Sequence, residues 1–187
     1  MNSMILISVL AVLAVVALAV IAVYNGLVRL NVQAGNAWSD IDVQLKRRHD
    51  LIPNVVETVK GYASHERQTL EAVINARNRA VAVQGAGPAE RGQAEGMLAG
   101  ALRGLFALAE AYPQLRAAEN FAQLQSTLAQ IEEAVQSARR YYNAVVRDLN
   151  TRIQQFPSNV VAGMFGFKNR DFFEIPDPEK AVPQVKF

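Results

Sequence analysis

Histidine, cysteine, serine and carboxylate side chains carry most protein chemistry, and this chain uses the first two sparingly. It has two histidines and no cysteine. His65-Glu66 matches the start of the zinc-protease pattern H-E-x-x-H, but Thr69 stands where the second histidine is needed. His49 is the other histidine. With His49 closing one helix and His65 in the middle of the next, about four turns, roughly 21 Å, would separate them, and they could not share a metal. There is no Glu-x-x-His pair of the di-iron bundle type. No serine lies in a glycine-rich elbow, and no phosphate-cradling glycine loop opens a helix. The lack of cysteine removes thiolate metal sites, cysteine nucleophiles, disulfides and lipid attachment through sulfur. Structural or capping roles are therefore expected for both histidines. No catalytic residue, metal site or cofactor is expected, and the chain does not read as an enzyme.

A nucleic-acid interface is the next possibility, since the isoelectric point is near 9.0. The net charge is only +2. The one dense basic cluster, Lys46-Arg47-Arg48, has no aromatic residues interleaved to stack on bases. The expected role for Lys46, Arg47, Arg48 and His49 is a solvated helix end that complements the C-terminal dipole. No nucleic-acid partner is expected.

Chemistry being scarce, the elements themselves must carry the function. The chain has 187 residues, of which 51% are hydrophobic. From Met4 to Val23, Ser8 is the only residue that is not hydrophobic, and no charged side chain precedes Arg29. A helix over this run rises about 30 Å, the thickness of a hydrocarbon core. Ala17-Leu18-Ala19 offers a cleavage-like site, but no basic residue precedes the run, which is also longer than a signal-peptide core. A retained anchor over 4–23 is expected. Nothing after Val23 is apolar and uncharged for long enough to make a second span. Arg29, the only basic residue near the span, leans the body toward the cytoplasm, on one charge alone.

The body over 24–156 reads as four long helices. Leu27, Leu30, Ala34, Trp38, Ile41 and Leu45 recur at steps of three and four and continue the anchor. Asp50 is expected to cap a second helix, with Pro53 in its first turn. That helix would carry Ile52, Val56, Val59, Ala63, Leu70 and Val73 as far as Gly85. Gly87-Pro88 opens the third helix and Pro113 closes it. Asn120 with Gln123 forms a capping box for the fourth, whose stripe runs from Phe121 through Leu128, Val135 and Tyr142 to Ile153. Pro157 stops it, and the aromatic, proline-containing tail over 157–187 is expected to be irregular but ordered.

Short connections between long helices imply antiparallel neighbours, so the expected fold is all-α: an N-terminal transmembrane helix followed by an up-down four-helix bundle. In that arrangement Arg29, Arg77, Arg79, Arg91, Arg147 and Arg152 share the membrane end. Together with Phe165 and Phe167 of the tail they form a candidate contact with the bilayer surface. Gly92, Gly96, Gly100 and Gly104 form a second candidate. They lie opposite the Leu98/Leu102/Leu105 face, each costs about 1 kcal/mol against alanine in a helix interior, and they are expected to serve a homo-oligomer face rather than the intrachain core.

The run Asn36-Ala-Trp38-Ser-Asp-Ile-Asp42-Val-Gln-Leu-Lys-Arg-Arg-His49-Asp50-Leu-Ile-Pro53-Asn54, continuing to Tyr62, resembles the LemA family of bacterial membrane-anchored proteins. Ala109-Glu110-Ala111-Tyr112-Pro113, Glu119-Asn120-Phe121, Tyr142-Asn143, Phe156-Pro157-Ser158-Asn159, Gly166-Phe167 and Pro183-x-Val185-x-Phe187 extend the likeness over nearly the whole chain. The resemblance implies one membrane helix and a LemA-like four-helix bundle. It supplies no enzyme activity and makes membrane organisation the functional class by analogy. The combined expectation is a single-pass scaffold of the bacterial cytoplasmic membrane, non-enzymatic and self-associating. Its partners would be the bilayer, copies of itself and membrane proteins. The alternative is an adaptor that binds one membrane-protein partner through its bundle or tail.

Overall fold

A computed structural model describes residues 2–175, and everything described that is regular is helical. Six helices follow one another: α1 (Asn2–Tyr62), α2 (Arg67–Ala82), α3 (Pro88–Ala109), α4 (Pro113–Arg116), α5 (Glu119–Gln154) and α6 (Ser158–Phe165). The chain divides into two compact units, one formed by Met1–Ser39 with Tyr141–Arg170 and the other by Asp40–Arg140 with Asp171–Phe187.

The largest departure from expectation is α1. The break predicted at Asp50 is absent, and the helix runs on through Pro53 to Tyr62. A proline inside a helix removes the N–H that would bond the carbonyl four residues back, which here belongs to His49. Arg77 of α2 supplies the missing donor: its Nε bonds the His49 carbonyl at 3.3 Å. The turn between the first two bundle helices is Ala63–Glu66, and His65 lies in it, exposed, rather than in mid-helix. Arg48 and His49 are likewise not a solvated helix end. They lie inside α1, buried to 3% and 2% exposure.

In the unit built on Asp40–Arg140, four helical segments share one core. α1 contributes Ile52, Val55, Val56 and Val59, α2 contributes Leu70 and Val73, α3 contributes Leu98, Leu102 and Leu105, and α5 contributes Phe121 and Leu128. Contacts fix their directions. Arg77 of α2 meets His49 of α1, whereas the short turn joins Tyr62 to Arg67, so those two are antiparallel. Glu95 of α3 meets His49, and Tyr112 just beyond α3 bonds Glu66 at 3.0 Å, so α3 runs with α1. Phe106 of α3 packs on Phe121 near the start of α5, their ring centroids 6.4 Å apart, while Glu132 of α5 reaches Arg48. This is the up-down four-helix order that the short connections require.

The other unit pairs the first part of α1 with the end of α5 and with α6. Its buried side chains include Leu27, Ala34 and Ala37 of α1, Tyr142, Val145, Val146 and Leu149 of α5, and Val161 and Ala162 of α6. Trp38 packs against Tyr142 at a centroid distance of 5.1 Å. The region after Pro157, expected to be irregular, contains two turns of helix. Ser158 holds its start, with its hydroxyl 2.6 and 2.8 Å from the Arg152 and Gln155 carbonyls. Gly166 ends it at φ 73°, and the Phe167 N–H returns to the Ala162 carbonyl, the 6→1 bond of a Schellman motif. The rest of that expected tail, 176–187, lies outside the described residues.

Candidate functional site

Three features of the two units are built from more than ordinary packing. The first is the apolar start of α1. Every side chain from Ser3 to Ala19 is exposed, a surface with no protein over it among the described residues. Ser8, the one polar residue of the run, returns its hydroxyl to the Met4 carbonyl at 2.9 Å, which satisfies it without water. The helix is long and apolar enough to cross a membrane.

The second feature surrounds the same unit's other end of helix α6. Phe165 and Phe167 both pack on Tyr24 of α1, with centroid distances of 4.7 and 5.9 Å. Beyond them the chain is held at Arg170. Asn150 of α5 pairs with the Arg170 backbone in both directions, at 2.9 Å each, and the Arg170 guanidinium donates to Asn31. Of the residues predicted to meet the bilayer, Arg29, Arg147, Arg152, Phe165 and Phe167 belong to this unit, with only Phe167 half-buried and the rest exposed. Arg77, Arg79 and Arg91 do not join them. All three belong to the bundle unit, where Arg79 is exposed, Arg77 is half-buried on the His49 carbonyl and Arg91 is buried and paired with Asp42. The predicted set is divided because the helix turn falls at Ala63–Glu66 and not at Asp50, which moves the end of α2 along the bundle.

The third feature is a charge cluster inside the bundle. Glu95 of α3 is 2% exposed. Its Oε1 is 2.8 Å from His49 Nε2, and its Oε2 is 3.5 Å from Arg48 Nη1. Arg48 spans to α5, with Nη2 3.2 Å from Glu132 Oε2. Arg91 of α3, also buried, pairs with Asp42 of α1. With Arg77 on the His49 backbone, all four helical segments meet at this level. Removing such charges from water is costly, so an arrangement of this kind is better suited to fixing helix register than to adding net stability. Sequence patterning missed it, although a signal was there. Arg48 and His49 sit on the stripe from Leu45 to Ile52, and Glu95 sits on the stripe with Leu98 and Leu102, all positions reserved for apolar residues. Among the described residues no group of three or more His, Asp or Glu side chains is placed to hold a metal ion.

Beside the cluster, α3 and α5 leave a cavity of about 360 Å³ lined by the apolar Ala99, Leu102, Phe106, Leu128 and Ala129 and by the polar Arg48, Arg103, Gln125 and Glu132. The glycine row of α3 needs correction here. Gly92 does serve intrachain packing. It is buried, and a Cβ on it would overlap the Glu174 carbonyl oxygen. Gly96 is half-buried, while Gly100 and Gly104 are exposed with open space where a Cβ would be. Helical spacing alone puts all four away from the core, and the backbone that lies over Gly92, following the fully buried Phe173, comes from a segment distant in sequence.

A bundle of four long helical segments, one of them continuous with an exposed apolar helix and knit by a buried His–Glu–Arg cluster, defines a class of membrane-anchored helical proteins. The LemA family model matches residues 37–187, and the chain belongs to the LemA family. Among similar proteins are the magnetosome protein MamQ of Magnetospirillum gryphiswaldense, 26% identical over 190 residues covering 87% of this chain and 70% of that protein, and a protein LemA of Metamycoplasma hominis, 27% identical over 158 residues covering 83% and 71%. Magnetosome protein MamQ 2 of Paramagnetospirillum magneticum is 24% identical over 175 residues. That match covers 81% of this chain, which spans 64% of the relative's length. None of these names states a catalytic activity.

Proposed function

We propose that this chain is a non-enzymatic scaffold of the bacterial cytoplasmic membrane that self-associates and organises membrane or membrane proteins. The observation that carries this reading is α1 itself. One uninterrupted helix holds both the exposed apolar run and the first core stripe of the bundle. An apolar surface of that length is stable only when lipid covers it. Arg29, Arg147 and Arg152 with Phe165 and Phe167 suit a contact with anionic headgroups, worth about 1 kcal/mol per basic residue near the surface. Gly100 and Gly104, open and without side chains, suit close approach of a second copy. The names of the MamQ relatives, which place those proteins at the magnetosome, support a role in membrane organisation. Light scattering on the full chain in mild detergent tests the proposal. A mass of two or more copies is expected, and a uniform monomer would count against it.

A further inference from the structure

We propose that α6 is a second membrane element of this chain, lying along the bilayer interface with Phe156, Val160 and Met164 set into the boundary between headgroups and acyl chains. This rests on the reading that the apolar start of α1 crosses a bilayer. The register of α1 and α5 sets the level of α6. Trp38 packs on Tyr142, and Arg170 joins Asn31 to Asn150. Continued along the antiparallel pair, both contacts bring Gln154, the last residue of α5, level with Gly26 and Leu27 of α1. That level is about 5 Å beyond Val23, where the apolar run ends. The Ser158 hydroxyl, on the Arg152 and Gln155 carbonyls, ties the start of α6 there. At the other end Phe165 packs on Tyr24, one residue past the run, at a centroid distance of 4.7 Å. Both ends of α6 therefore sit where α1 leaves the hydrocarbon core, and the helix lies across α1, along the membrane plane.

The packing of α6 leaves an apolar face uncovered at that level. Ser158, Val161 and Ala162 are buried, and with Phe165 they form the stripe turned to the protein. Val160 and Met164 are neighbours on the opposite face, 54% and 73% exposed, and Phe156 in the turn before them is 77% exposed. A helix face that meets water ordinarily carries charge, but Ser158–Phe165 has none, and Asn159 is its one exposed polar side chain. Arg152 and Lys168, both exposed, flank the patch and suit lipid phosphates. An apolar face, an axis in the membrane plane and basic residues at its edges are what an interfacial helix requires. Lipid already surrounds the adjoining residues of α1, so it covers this patch without a further partner.

The chain has no cysteine, so single probes can be placed on it. Val160→Cys and Met164→Cys, both at exposed positions, are labelled with an environment-sensitive fluorophore in the full chain. Each is reconstituted in large lipid excess into vesicles of phosphatidylcholine and phosphatidylglycerol. A lipid with a nitroxide high on its acyl chain is expected to remove about half of the emission at both sites, because an interfacial helix sinks its apolar face about 5–10 Å. Leu18→Cys, about 8 Å inside the end of the apolar run, should be quenched to a similar degree. Ala144→Cys, exposed on α5 about 15 Å back from Gln154, should keep its emission. Quenching at Leu18 with none at Val160 and Met164 would overturn the proposal and leave the anchor standing. No quenching at Leu18 would overturn the anchor, and this inference with it. Blue-shifted emission at Met164 that the nitroxide leaves intact would also overturn it and assign the face to a second copy or another protein.

Discussion

The tolerance of Pro53 can be tested by a two-residue cycle. Its ring leaves the His49 carbonyl without the N–H donor of residue 53, and Arg77 Nε fills that place from α2 at 3.3 Å. Arg77→Met keeps most of the aliphatic stem and removes the donor. A buried acceptor left unpaired costs about 1–3 kcal/mol. Because this bond is only partly buried, the expected cost is at the low end, about 1–1.5 kcal/mol. In a Pro53→Ala background the N–H of residue 53 returns to the His49 carbonyl, so the same Arg77→Met change should cost less than about 0.5 kcal/mol. The coupling energy is then about 1 kcal/mol. Pro53→Ala alone should stabilise, since regained helix geometry outweighs the roughly 0.4–1 kcal/mol lost with proline's restriction of the unfolded chain. Urea unfolding of the detergent-solubilised chain, followed by helical circular dichroism, measures all four corners. An equal cost of Arg77→Met in both backgrounds would refute the account of how α1 passes Pro53.

Three further outcomes are expected. Arg48→Met leaves Glu95 buried with one partner fewer and should cost about 3–5 kcal/mol, whereas Arg48→Met/Glu95→Leu should recover most of it; simple additivity in denaturation curves would contradict the register role. Gly92→Ala must push the Glu174 backbone off α3, so amide exchange at Phe173–Ile175 should accelerate. Gly100→Ala and Gly104→Ala should leave that exchange unchanged and stabilise by up to about 1 kcal/mol each. The Tyr112 hydroxyl donates to Glu66, and that bond, with burial and the carboxylate's charge, raises the tyrosine above its ordinary value of 10.0. A raised folded-state value stabilises the neutral phenol, so the contribution is complete below the ordinary tyrosine value and is lost as pH climbs through the raised one. Spectrophotometric titration should show one tyrosine moving to lower pH in Glu66→Gln, and an unchanged curve would argue against the bond.

Much of this molecule could be read from spacing alone. The apolar run, the stripes of α1 and α5 and the start of α3 at Pro88 follow from local period and local chemistry, and Leu27, Ile41, Leu45, Leu98 and Val135 are buried as their registers require. The misreadings share one cause, which is a partner distant in sequence. Pro53 looks like a helix start until Arg77 accounts for the His49 carbonyl. Arg48 and His49 look like solvated helix-end charges until Glu95 and Glu132 are brought to them from α3 and α5. Gly92 looks like an outward glycine until Glu174 lies over it. In α6 the signals conflict locally: Gly163 and the flanking aromatics read as loop, and the helix is secured by Ser158 at one end and Gly166 at the other.

The proposal that this chain works as an assembly held in a membrane is tested by counting photobleaching steps of a single-fluorophore fusion of the full chain, at low density in a bilayer. The scaffold account predicts spots that bleach in two or more steps, and fewer steps after large residues replace Gly100 and Gly104. Single-step bleaching of every spot, with the chain firmly membrane-bound, would contradict it.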